Sequence, residues 1–106
     1  LVDKKVYNKN IKIYRDLLKN GPNKDISIKL AESLRRVGRY DEAAEQYETF
    51  IDRPGINPVY YKNYSDVLAK TGQKEDAERW MIRFRENIKR ADLSSNSNIE
   101  PDTSSY

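Results

Sequence analysis

The stretch LAESLRRVGRYDEAAEQYETFIDRP, residues 30–54, decides the fold. Leu30, Ala31 and Leu34 stand at helical steps before Gly38, and Ala43, Ala44, Tyr47, Phe50 and Ile51 stand at helical steps after it. Apolar residues three and four apart share one face of an α-helix. A glycine that follows Val37 suits a left-handed residue closing one helix, and Pro54 marks the end of the next. The stretch therefore predicts two amphipathic helices joined by a short turn.

The pattern repeats. Asn23 and Asn57, Leu34 and Leu68, Gly38 and Gly72, Ala43 and Ala77, and Phe50 and Phe84 are each separated by 34 residues. A fixed period of this length is the mark of stacked helical hairpins. The start signals recur as well: Asn23 and Asn57 can cap free amides, and Pro58 has its angle preset for a first turn. In the last helix Ala77, Trp80, Met81, Phe84 and Ile88 form a single stripe. Ala31, Ala43 and Ala77 are small enough for two backbones to approach closely. Tyr40, Tyr47, Tyr61 and Tyr64 are expected to fill the gaps between hairpins, with their hydroxyls at the edge.

Residues 30–54 resemble the tetratricopeptide repeat family, with its glycine, tyrosine, alanine, aromatic and proline landmarks. The following unit keeps Tyr61, Tyr64, Leu68, Gly72, Ala77, Met81 and Phe84, with Lys74 where the family usually has tyrosine. Tyr7, Ile11, Tyr14, Leu17, Leu18 and Pro22 match the second helix of a preceding unit, although Asn10 stands where the family prefers alanine. The resemblance covers residues 5–91. It implies an all-α, right-handed superhelix of antiparallel hairpins, five helices in about two and a half units. The expected divisions are a truncated unit at 1–22, full units at 23–56 and 57–91, and a Ser/Asn-rich disordered tail or linker at 92–106. A chain that starts in mid-repeat is expected to be a fragment of a longer protein.

Composition narrows the chemistry. The 106 residues contain no histidine and no cysteine, so a Ser-His or Cys-His nucleophile and a structural zinc site cannot be built. An enzyme is not expected, nor a cofactor or a metal. No run approaches the roughly eighteen apolar residues of a membrane-spanning helix. Charge is uneven: residues 1–22 carry six Lys or Arg against two Asp, whereas 92–106 carry three carboxylates and no base.

In stacked hairpins the first helix of each pair lines the inner surface. Asp25, Ile28, Glu32, Arg35 and Arg36, then Val59, Lys62, Asp66, Ala69 and Lys70, are the candidate concave face. Its cations suit an acidic peptide held by charge-assisted hydrogen bonds, and a solvated helix face is the plainer alternative. One subclass of the family clamps a C-terminal carboxylate with basic and amide side chains. Lys62 matches a clamp lysine, but Asp66 stands where that subclass has asparagine, so such binding is not expected. Arg79, Arg83, Arg85, Lys89 and Arg90 could attract nucleic acid. They follow Glu75, Asp76 and Glu78 in the order the helix dipole favours, with Glu75–Arg79 and Glu86–Arg90 at pairing distance, so a structural role is preferred. Asn63-Tyr64-Ser65 matches a glycosylation sequon but falls inside a predicted helix.

Residues 60–64, 68–72 and 77–84 are similar to a narrower group: the N-terminal repeats of bacterial envelope proteins that continue into a β-propeller and an OmpA-like peptidoglycan-binding domain. Several of those belong to gliding and type IX secretion machinery. That resemblance implies a periplasmic, envelope-associated domain, with a cytoplasmic one as the alternative. Three functions are carried forward: a non-catalytic adaptor for a protein or peptide partner through the concave face or the array ends, a spacer packed only against its own chain, and a nucleic-acid binder.

Overall fold

At three of the helix starts a side chain accepts from free backbone amides. In the computed structural model, which describes the backbone of residues 3–99 and the side chains of residues 3–91, the helices are α1 (Lys4–Leu18), α2 (Lys24–Arg36), α3 (Tyr40–Glu48), α4 (Val59–Lys70) and α5 (Lys74–Ile99). There is no strand among the described residues. Asp3 accepts from the Lys5 and Val6 N–H groups at the head of α1, and Asn23 accepts from Ile26 N–H at 3.1 Å at the head of α2. The Asn57 side chain accepts from Val59 N–H at 3.0 Å, and Pro58 holds φ −56°. The α4 start thus lies one residue beyond the position that proline implies.

The two tight turns are copies of each other. Gly38 and Gly72 have φ +83° and +84°. Arg39 N–H donates to Leu34 O at 2.9 Å, and Gln73 N–H donates to Leu68 O at 2.8 Å. These bonds reach back over the glycine to a carbonyl the helix would otherwise leave unpaired. Gly21 and Gly55 also have positive φ, so the four glycines fall at 17-residue steps, one per interhelix turn.

Two helix ends differ from expectation. α3 stops at Glu48, well before Pro54. The Thr49 hydroxyl donates to the Gln46 carbonyl at 2.7 Å, and Phe50 and Ile51 N–H groups continue in turns onto Tyr47 O. In the other direction, α5 continues through Ile99, so the boundary expected after Ala91 is not a helix end. Serine and asparagine lower helix propensity without breaking the backbone pattern, and no proline or glycine occurs between Gly72 and Pro101. The rest of the expected tail, 100–106, lies outside the described residues.

Packing is sequential: α1 meets α2, α2 meets α3, α3 meets α4, and α4 meets α5. Lys70 at the end of α4 lies 5.6 Å from the Tyr40 ring at the start of α3, while Phe50 just past α3 meets Tyr60 at the start of α4. These two helices therefore run antiparallel. So do α4 and α5, where Lys62 reaches Phe84 and Ser65 reaches Ala77. The core holds Leu30, Ala31, Leu34, Ala43, Tyr47, Phe50, Tyr64 and Leu68, with Trp80 and Phe84 half-buried against it. Ala31 and Ala43 are fully enclosed, as close helix crossings require. Ser65, one period after Ala31, takes the equivalent buried place and donates to the Ala77 carbonyl at 2.6 Å.

Candidate functional site

The predicted inner face divides into two grooves. Glu32, in the third turn of α2, forms the wall between them. It accepts from Arg35 at 3.2 Å, from Asn63 of α4 at 2.9 Å, and from the Tyr47 hydroxyl of α3. Three helices are joined through one carboxylate. Glu32 is thus a structural clasp, with three of its roughly four lone pairs committed before any ligand arrives.

Arg35 sits on the clasp and faces the first groove. Burial works against its charge but is outweighed by the hydrogen bond and the negative charge of Glu32, which hold the guanidinium above its ordinary pKa. Its Nε is buried without a partner. The first groove measures about 480 Å³ and is lined by Arg35, Lys62, Asn63, Ser65, Asp66, Ala69 and Met81. Of the predicted residues, Arg35, Lys62, Asp66 and Ala69 come together here. Lys62 extends along the wall with its Nζ 5.8 Å from the Phe84 ring, an arrangement that leaves the ammonium exposed.

The second groove, about 300 Å³, lies between α1 and α2. It takes in Ile28, Glu32 and Arg36 from the predicted set, beside Tyr7, Asn10, Tyr14, Lys29, Ser33 and Tyr60. Asp25, Val59 and Lys70 line neither groove. Lys70 lies over Tyr40 on the opposite neighbour. A single predicted face thus becomes two, because α2 is held by α1 on one side and by α3 and α4 on the other. Asn63, Ser65 and Met81 were not predicted in the groove. Ser65 and Met81 fall one period after Ala31 and Tyr47, a correspondence that marks them as inward-facing.

The arginines of α5 are engaged differently from the four-step pairs expected of them. Arg79 pairs with Asp76 at 3.2 Å, Arg85 with Glu78 at 3.8 Å, and Arg83 with Asp52 across the interhelix turn at 3.2 Å. The Arg83 guanidinium also lies 4.9 Å from the Tyr61 ring and 4.7 Å from the Trp80 ring, where its planar face can stack. Asn63, the sequon residue, lies inside α4 and donates to Glu32 of α2. Among the described residues no helix is long and apolar enough to cross a membrane, and no carboxylate group is clustered for a metal ion.

No family model, curated protein or solved structure matches the chain. What the described residues define is an all-α fold of five helices packed in sequence, each against the next.

Proposed function

We propose that this chain is a non-catalytic protein-interaction scaffold of the tetratricopeptide type, whose stacked hairpins coil as a right-handed superhelix. The observation that carries the reading is the repeated turn geometry at a 34-residue period: Gly38 and Gly72 have nearly the same φ, and the bonds Arg39 N–H to Leu34 O and Gln73 N–H to Leu68 O are equivalent. Repeats of this length stack into continuous surfaces whose use is binding. The groove between α2, α4 and α5 is the favoured peptide site, with Lys62 and Arg35 as cations for an acidic residue and Met81 and Ala69 as its apolar floor. Asp66 on the same wall disfavours a ligand whose carboxylate falls opposite it. The resemblance of residues 60–84 to envelope-protein modules supports a place in the periplasm.

The spacer reading is favoured by one observation, the uncovered apolar residues on the outer helices, such as Ile13 of α1 and Ile82 of α5. Immobilised chain and a Lys62→Glu/Ala69→Arg variant, both checked for helical circular dichroism, distinguish the two. A partner captured from envelope extract by the wild type and lost from the variant supports the groove. Equal capture by both moves the interface elsewhere, and no capture by either favours the spacer.

A further inference from the structure

Two segments of this chain carry matching residues, and on only one of them is that set closed over. Tyr7, Asn10, Tyr14 and Leu17 of α1 correspond, at a 33-residue offset, to Tyr40, Ala43, Tyr47 and Phe50. On α3 that face is closed by α2 and α4: Ala43 and Tyr47 are fully buried, and Phe50 is 1% exposed. On α1, Tyr7, Asn10 and Tyr14 are only half-buried, and the Leu17 position is open. Leu17 is 44% exposed, and Val6 and Ile13 beside it are 53% and 44% exposed. Six, thirteen and seventeen fall on one side of a helix, so these residues make one stripe and not scattered contacts. The stripe continues into the groove floored by Tyr7, Tyr14 and Ser33.

The rim of this surface is basic. Lys29 and Arg36 of α2 line one edge. Lys9, three residues after Val6 and four before Ile13, flanks the other. None of the three has an ion-pair partner among the described residues, whereas Asp16 on α1 is taken by Lys19 at 3.3 Å and Arg15 by Glu42 at 2.9 Å. A second copy of this chain is a poor occupant, because it would bring α1 with four lysines and an arginine against the same rim. We infer that the α1–α2 face docks an amphipathic helix of a partner protein, with an apolar stripe against Val6, Ile13 and Leu17 and acidic residues on both flanks. This surface is separate from the groove at Lys62 and stands whether or not that groove binds a peptide.

The α2 helix covers the matching face of α3 and supplies a template for the probe. The probe is a labelled synthetic peptide with the sequence of residues 23–37, carrying Lys24→Glu, Lys29→Glu and Arg36→Glu; the control is the same peptide without these changes. Fluorescence anisotropy against the intact chain is expected to show saturable micromolar binding of the acidic peptide and at least about tenfold weaker binding of the control. Leu17→Asp in the chain, at an exposed position that leaves the fold intact by circular dichroism, is expected to weaken the acidic peptide by about tenfold or more. Lys29→Glu/Arg36→Glu in the chain reverses the preference between the two peptides, an outcome that mere loss of structure does not produce. Lys62→Glu/Ala69→Arg leaves binding unchanged. Equal affinity for the two peptides, no saturation at millimolar concentration, or loss of binding in the Lys62 variant overturns the assignment. So does a dimer of the free chain, seen by sedimentation and abolished by Leu17→Asp, since a second copy would then be the occupant.

Discussion

Tyr47 shows how much one side chain carries. It is fully buried, its ring meets Phe50 at 5.5 Å and Tyr64 at 5.3 Å, and its hydroxyl donates to Glu32. Burial first, and then the Glu32 charge, push its pKa up; burial pushes Tyr64 up to about 12. Both phenols favour the protonated form in the fold. Their contribution is complete below the unfolded value of about 10 and is lost as pH rises through that value toward the folded ones. The melting temperature is therefore expected to drop between about pH 9 and about pH 12, and Tyr47→Phe should make that drop shallower. At neutral pH the same variant should lose about 1 kcal/mol with the hydrogen bond, measured by urea denaturation. An identical alkaline slope in the variant would mean that the Tyr47 phenol titrates as though in water. The tyrosine's burial was legible from its helical spacing. Its bond to Glu32 was not, because that depends on how α2 lies across α3.

At the level of elements, the interhelix turns hold the repeat together. Gly38 and Gly72 both occupy the left-handed region, and added Cβ atoms would meet nothing closer than Tyr40 Cε2, at 4.0 Å from the Gly38 position. The cost of Gly38→Ala or Gly72→Ala is accordingly one of backbone conformation alone, about 1–2 kcal/mol each. The two variants should fall within a few tenths of each other in urea unfolding, and clearly unequal costs would show that the turns are not equivalent. These turns were legible as a glycine pair at the repeat period. The end of α3 was not: Pro54 signals a stop, but the Thr49 hydroxyl bond to Gln46 ends the helix earlier. At the far end, the Ser/Asn run from Ser94 invites a loop, and the backbone stays helical through Ile99.

Over the whole molecule, helices meet chiefly their sequence neighbours, so stability is built from successive interfaces along one continuous core. The α4–α5 interface can be loosened by itself. Ser65→Ala removes the bond from the Ser65 hydroxyl to Ala77 O and leaves the α2–α3 contacts untouched. Hydrogen exchange should then show lost amide protection in α5, with α2 and α3 still protected. Uniform loss along the chain would indicate a single cooperative unit.

Local pattern was enough for the helices, the turns and most of the buried set, because those follow from apolar spacing, capping residues and the few positions where only glycine sits comfortably. Leu30, Ala31, Leu34, Tyr47 and Leu68 could be placed inside without knowing what they touch. The candidate surfaces needed the packed chain. Asp25, Glu32, Arg35 and Arg36 all read as one polar helix face, yet packing made Glu32 a clasp, turned Arg35 toward α4 and left Arg36 beside α1. Charge and spacing specify which side of a helix meets water. Which neighbour stands across that side is a long-range property, set by how each hairpin seats on the last.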